Sequence, residues 1–178
     1  MIFQTQRLLV RPLQDSDFDA FHEMQSNPTV MRFTTGQALS YEENRKQLSS
    51  CIASYWKPGN EFWIWAVETD FDSKFVGTCA IVPRENRTEI GYRLLENQFG
   101  RGYGQEICDG LINHAIHSMG AKEIVAVADC RNIASVKILD RSILPFVGEK
   151  KDAESGGVDR CYHWALNSKK TDSTPPIS

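Results

Sequence analysis

The stretch Thr88-Glu89-Ile90-Gly91-Tyr92-Arg93-Leu94, followed five residues later by Gly100-Arg101-Gly102-Tyr103-Gly104-Gln105-Glu106, decides how this chain folds. Residues 88–94 read as a strand. After the glycines, Cys108, Leu111, Ile112, Ala115, Ile116 and Met119 recur at helical spacing. A strand, a glycine loop and a helix in that order present free backbone N–H groups to an anion. Glycine lets a phosphate approach because no Cβ stands in the way. The helix N-terminus adds a positive partial charge of roughly half a unit. A ligand bearing a pyrophosphate is therefore expected at this loop.

The loop alone is also compatible with a simple tight turn. A P-loop is excluded, because no Lys-Ser or Lys-Thr pair follows the last glycine. A dinucleotide fingerprint fits poorly. Its first glycine belongs in the turn directly after the strand, whereas residues 95–99 intervene here.

Outward from this centre, residues 7–13 alternate as a first strand, and residues 16–25 read as a helix capped by Asp15 or Ser16. Residues 26–39 form a loop. Ser40-Tyr41-Glu42-Glu43 has the form of a capping box and opens a helix ended by Lys57-Pro58-Gly59-Asn60. Residues 62–69 and 74–83 are strands, with a turn at 84–87 before the central strand. The long helix runs over 102–119 and stops at Gly120. Residues 124–128 are continuously apolar, as in a strand buried on both faces. A helix over 132–141 and a hairpin of 146–150 with 160–165, turning at 152–157, complete a single α/β domain over 1–167. Residues 168–178 are polar with Pro-Pro and read as a disordered tail.

The length of 178 residues suits one domain, and 41% hydrophobic residues suffice for a core. A net charge of −3 gives no case for nucleic acid or an anionic membrane as partner. No signal peptide and no membrane-spanning run are visible. The five cysteines, Cys51, Cys79, Cys108, Cys130 and Cys161, are scattered, odd in number and free of CxxC pairs. They read as reduced and mostly buried, in a cytoplasmic protein with no metal site. His114 and His117 lie one turn apart without further ligands nearby and read as a solvated helix face. Trp56, Phe62, Trp63 and Trp65 read as core packing, with one of them available to wall an acceptor pocket against Phe33.

Together Ile90-Gly91-Tyr92-Arg93-Leu94, Phe99-Gly100-Arg101-Gly102-Tyr103-Gly104 and Arg131-Asn132-Ile133-Ala134-Ser135 resemble the GNAT N-acetyltransferase superfamily. Within it the chain looks most like the RimJ/RimL group, whose opening strand is matched by Gln6-Arg7-Leu8-Leu9-Val10-Arg11-Pro12-Leu13. The resemblance implies a central, mostly antiparallel sheet that splays at the cofactor site between flanking helices. It implies acetyl-CoA as co-substrate and transfer of acetyl to a primary amine by direct attack in a ternary complex. The acceptor is then a protein N-terminus, ribosomal-protein-like, or a small amine such as an amino acid, polyamine or antibiotic. A non-catalytic acyl-CoA-binding domain is the other alternative. A homodimer is compatible with the fold. Two departures stand out. Phe99 occupies a slot that the wider superfamily fills with Gln or Arg, although the RimJ/RimL group often has an aromatic there. Leu144-Pro145-Phe146 replaces the usual Leu-Gly-Phe, and proline cannot take the left-handed cap conformation.

On these readings the cofactor is bound by the N–H groups of residues 100–104, with Arg101 adding charge. The strand edge at Tyr92, Arg93 and Leu94 pairs with the pantetheine amides as an added strand would. Phe99 and Tyr103 belong to the same loop. By resemblance Asn132 hydrogen-bonds the pantetheine arm; the plainer reading is a helix cap, and the two are compatible. Glu89, two residues before Gly91, is the expected general base, directly or through a water. Its plainer reading is a surface residue paired with Arg84 or Arg87. Ser135, one turn after Asn132, is the expected proton donor to the leaving thiolate, or else an ordinary first-turn serine.

Overall fold

The computed structural model describes residues 1–152 and 156–166. Eight strands and five helices follow in order. They are β1 (Phe3–Gln4), β2 (Leu8–Pro12), α1 (Phe18–Ser26), α2 (Pro28–Met31), α3 (Tyr41–Ser54), β3 (Trp63–Thr69) and β4 (Phe75–Arg84). After them come β5 (Arg87–Leu94), α4 (Tyr103–His117), β6 (Glu123–Asp129), α5 (Ile133–Arg141), β7 (Phe146–Lys151) and β8 (Val158–Ala165). The expected tail, and residues 153–155 of the expected hairpin turn, lie outside the described residues.

Most elements begin where local chemistry asks them to. Ser40 caps α3 by accepting the Glu43 N–H, while Glu43 reaches back to the Ser40 N–H at 2.8 Å. The turn between β4 and β5 places Glu85 and Asn86 at φ +49° and +65°, the two-residue hairpin form that matches strand twist. Two elements escaped the sequence pattern. β1 is only two residues long, too short for any period. α2 interrupts the expected loop, with Asn27 as cap and Pro28 at its first position.

All eight strands join one sheet in the order β1-β2-β3-β4-β5-β6-β8-β7. Only β5 and β6 run parallel. Helices cover both faces. Trp65 and Val67 of β3 join a core with Ile90, Ile107, Leu111 and Ile124 beneath α4 and α5. Ala66, between them, packs with Phe18, Phe21, Met24 and Leu48 beneath α1 and α3. This alternation is why β3 is apolar on both faces. A buried ionic staple ties the first elements together. Arg11 of β2 holds Asp17 at the start of α1 through two hydrogen bonds of 2.8 Å, and Glu68 of β3 at 2.6 Å. The paired carboxylates push the Arg11 guanidinium above its ordinary pKa.

The N-terminal hairpin lies across α4. A Cβ on Gly110 would approach Phe3 to 2.7 Å and Thr5 to 3.0 Å, so glycine in mid-helix is the condition for this packing. Phe3 also stacks on His114, whose other neighbour is the edge of Trp65. His114 is therefore part of an aromatic layer rather than a solvated face, and burial lowers its pKa. Trp63 stacks on Trp65, while Trp56 is 85% exposed and lies outside the core. Among the described residues, no helix is long and apolar enough to cross a membrane.

β4 and β5 approach most closely at Gly77, where an added Cβ would overlap the Arg93 carbonyl oxygen. Gly91, facing the cleft on β5, has open space around its missing side chain. Gly77→Ala is expected to cost about 3 kcal/mol, at the upper end for overpacking. Thermal unfolding should show a loss of roughly 6–12 °C for Gly77→Ala and little change for Gly91→Ala. Equal effects at the two positions would refute the close approach.

Candidate active site

The parallel pair β5–β6 is hydrogen-bonded over two residue pairs only, Thr88 with Ile124 and Glu89 with Val125. Beyond them both strands continue, β5 held by β4 and β6 held by β8 along their lengths. The sheet therefore forks at Glu89. The Leu95 N–H donates to Val76 O at 2.9 Å, which fixes the alternation along β5. The polar backbone groups of Glu89, Gly91 and Arg93 face β4. Those of Ile90, Tyr92 and Leu94 face the fork, where no strand meets them. They are positioned to pair with an extended ligand carrying amides.

Beyond β5 a short turn of 3-10 helix (Glu96–Gln98) leads into the glycine loop. Gly100 and Gly102 adopt φ +73° and +81°, a conformation glycine takes without steric cost. Gly102 is also the N-cap of α4. The first bond in α4 is from the Glu106 N–H to Gly102 O at 3.3 Å. This leaves the N–H groups of residues 103–105 directed out of the helix end. Gly104 serves a different need: a Cβ there would sit 2.8 Å from Ile138 of α5 and 3.4 Å from the Tyr92 ring.

The loop is braced from the far end of the chain. Glu106 accepts hydrogen bonds from Thr5 Oγ1 at 2.6 Å, Arg7 N–H at 2.7 Å and Arg7 Nε at 2.7 Å. The Arg7 guanidinium also donates to Arg101 O at 3.1 Å and lies over the Tyr103 ring. Burial pushes the Glu106 pKa up, but these donors outweigh it and hold the carboxyl below its ordinary value.

From the loop a cleft of about 460 Å³ runs along β5 to α5. Its charged lining residues are Arg32, Arg93, Lys137 and Arg141, and among the described residues no Asp or Glu joins them. An outward N–H cradle, an unpaired strand edge and an acid-free cationic wall together fit a long polyanionic ligand with amides in its arm, as coenzyme A is. The sequence reading missed Arg32, Lys137 and Arg141. The four-residue spacing of the last two on α5 was the available signal, since it places them on one helix face.

A second cleft of about 330 Å³ opens between the 33–35 loop and the fork, walled by Phe21 and Phe33. The two clefts share Phe33, Thr34, Tyr92, Arg93, Asn132 and Ser135. Asn132 caps α5 by accepting the Ser135 N–H at 3.2 Å, so its plainer role holds, and it lines both clefts. Tyr92 Oη is buried with no hydrogen-bond partner. Burial pushes its phenol pKa up, and the neighbouring Ser135 hydroxyl offsets part of that shift. The phenol therefore stays protonated near neutral pH.

Glu89 lines the second cleft at the fork, and its carboxylate is paired with Arg84 at 2.7 Å. Phe99 is 47% exposed and lines the first cleft. Among the described residues no tryptophan lines either cleft; the phenylalanine walls of the second are Phe21 and Phe33. At Pro145 the missing glycine cap is replaced by a serine. Ser142 Oγ donates to Leu139 O at 2.8 Å and accepts the Leu144 N–H at 3.1 Å, which ends α5 without a left-handed residue.

Comparison with known proteins agrees with this arrangement. Residues 7–142 match the model of the acetyltransferase (GNAT) domain. The uncharacterized N-acetyltransferase p20 of Bacillus licheniformis is 28% identical over 155 residues, covering 84% of this chain and 85% of the relative. The solved RimL ribosomal-protein alpha-N-acetyltransferase with coenzyme A superposes with a TM-score of 0.78 at 20% identity, over 94% of this chain and 99% of that one. Spermidine N-acetyltransferase of Vibrio cholerae, solved with coenzyme A and spermine, gives 0.76 at 13% identity, over 89% and 95%.

The brace on the loop makes a pH prediction. The folded pKa of Glu106 lies below its unfolded value, so its contribution is complete above the ordinary glutamate pKa of about 4.3 and is lost as pH falls through the folded value. Glu106→Gln should destabilise the protein clearly at pH 7 and much less near pH 3. Urea unfolding at both pH values checks this. A deficit unchanged by acid would mean the charge is not what holds the loop.

Proposed function

The chain belongs to the GNAT acetyltransferase family, and on that premise we propose that it moves acetyl from acetyl-CoA directly to a primary amine in a ternary complex. The observation that carries this is the meeting of two clefts at Tyr92, Asn132 and Ser135. One is cationic, acid-free and headed by the glycine loop. The other is smaller and opens by the fork. A donor and an acceptor entering from these two clefts would meet at the point where β5 and β6 part.

Acetyl-CoA supplies the activated thioester; the protein supplies position and protons. The N–H groups of residues 100–104 and the Arg101 side chain receive the pyrophosphate. Tyr92 and Leu94 offer backbone groups to the pantetheine amides, and the Asn132 amide nitrogen adds a donor beside them. Holding both reactants in one site converts a bimolecular encounter into an effectively unimolecular one, the largest gain available without a covalent intermediate.

The acceptor must lose a proton. Glu89, a carboxylate at the mouth of the fork, takes it through a water. An α-amino group, with a pKa near ~8, yields that proton more readily than an alkyl ammonium near ~10.4. The departing sulfur, with an ordinary thiol pKa near ~8.5, needs only modest help. The Ser135 hydroxyl gives the proton and regains one from water in the cleft; the Tyr92 phenol, which lines the same junction, is the alternative donor. The glycine loop, the aromatic at Phe99 and the Asn132–Ser135 pair favour the RimJ/RimL-like branch of the family.

Thermal unfolding with acetyl-CoA, followed by free-thiol release across amines and short peptides, tests the proposal. Binding to the folded state alone must raise Tm. Absence of a shift at millimolar acetyl-CoA would overturn the reading, and a shift without thiol release on any amine would favour a binding domain. Glu89→Gln should lower turnover about 10- to 100-fold and leave the acetyl-CoA shift in place. Ser135→Ala should lower it less, and Ser135→Ala with Tyr92→Phe more than either alone. Unchanged turnover in Glu89→Gln would remove that carboxylate from the mechanism.

A further inference from the structure

Arg93 carries a charge that no carboxylate among the described residues answers. It lies on β5 at the junction of the two clefts. Its guanidinium donates to Gln25 Oε1 at 2.7 Å, and Gln25 is neutral. Gln25 is itself held rigidly, donating to Asn44 Oδ1 at 3.1 Å and Gln47 Oε1 at 2.6 Å. Asn44 is anchored in turn by Leu39 O at 3.1 Å and His22 Nδ1 at 2.9 Å. This is a neutral scaffold built around a cation. Burial lowers the Arg93 pKa, yet a guanidinium stays charged in proteins.

The nearby carboxylates are already engaged. Glu89 and Asp129 line the same cleft, and each has its own arginine: Arg84 at 2.7 Å and Arg131 at 2.5 Å. Among the described residues no Asp or Glu pairs with Arg93. A largely buried charge without a counter-ion is expensive. Such an arrangement is stable in function when a ligand brings the missing charge. A guanidinium also presents two parallel donors that match a carboxylate's two oxygens.

The direction of the side chain turns this cation toward the smaller cleft, although it also lines the larger one. Along β5, Tyr92 and Leu94 pack in the core with α4, the helix that the glycine loop opens. Arg93, one residue out of phase, faces the opposite side of the sheet, toward Gln25 of α1. That is the side on which Phe21 and Phe33 wall the smaller cleft.

We propose that Arg93 receives a carboxylate of the acceptor, so that the substrate is a small amine bearing a carboxylate close to the nitrogen, an amino acid in chemical class. This rests on the transferase reading above. It also disfavours a polyamine, whose cationic chain would lie against an unneutralised guanidinium.

The experiment compares matched acceptors with the wild-type enzyme: the twenty free amino acids, their C-terminal amides, and spermidine, each with acetyl-CoA and read by thiol release. At least one free amino acid is expected to exceed its amide in kcat/KM by about 10- to 100-fold, the worth of a charge-assisted hydrogen bond. Arg93→Lys and Arg93→Gln should shrink that ratio toward one, Gln more than Lys. Amides or spermidine acetylated as well as the free acids would overturn the inference and leave the transferase reading standing. A ratio kept in both variants, with a raised KM for acetyl-CoA, would also overturn it by assigning Arg93 to the cofactor. Acetyl-CoA binding without release on any of these acceptors would overturn this inference, and release on the short peptides tested above would then keep the transferase reading. The comparison of acid with amide needs no variant, so it holds even if Arg93→Gln fails to fold.

Discussion

Everything at the candidate site follows from the parting of β5 and β6. A strand in the middle of a sheet normally has both edges satisfied, because a buried unpaired backbone group costs about as much as a lost hydrogen bond. Here β5 gives one edge to β4 along its full length and withholds the other after Glu89. β6 does the same with β8. The opening is held by its neighbours: α5 begins at Asn132 just past the end of β6, and its Ile138 presses on the first turn of α4 where Gly104 admits it. A sheet that could zip closed would have neither cleft. Gly77 contributes from the other side, since β4 can follow β5 to its end only with no side chain at that point.

The same constraint gives the two adjoining clefts different linings. Strand alternation sends Tyr92 and Leu94 toward α4 and α5, and Glu89 and Arg93 toward α1. The larger cleft is a cationic channel with a helix N-terminus at its head. The smaller is walled by Phe21 and Phe33 and shares Arg93 with it. Beside Arg93 at their meeting point stand three neutral donors, Ser135, Tyr92 and the Asn132 amide, which suits a place where charge develops and disappears during reaction.

The sequence carried the centre of this picture and lost its periphery, for physical reasons. The glycine loop, the capping box at Ser40 and the apolar periods of α3 and α4 are local signals, and they sit where the pattern put them. The fork itself was legible only through family resemblance, because no single residue announces that two strands will separate. Phe33 was recognised as a wall, but the tryptophans were not separable from it by composition; strand phase sends Trp63 and Trp65 to the far face. His114 looked solvated because its cover comes from Phe3, more than a hundred residues away. The cation set Arg32, Lys137 and Arg141 comes from two elements far apart in sequence. Arg93 was read for its backbone, and its side chain became informative only once Gln25 was seen to be its neutral partner.

The brace formed by Thr5 and Arg7 on Glu106 has a wider consequence. Residues 3–7 are a strut for the glycine loop, with Phe3 packed on α4 over Gly110. The order of that strut and the shape of the loop are therefore coupled, and a ligand that bound only the braced loop would be weakened by whatever loosens the strut. A change at residues 3–7 would then act on this protein as an inhibitor acts, from a distance and without touching the ligand.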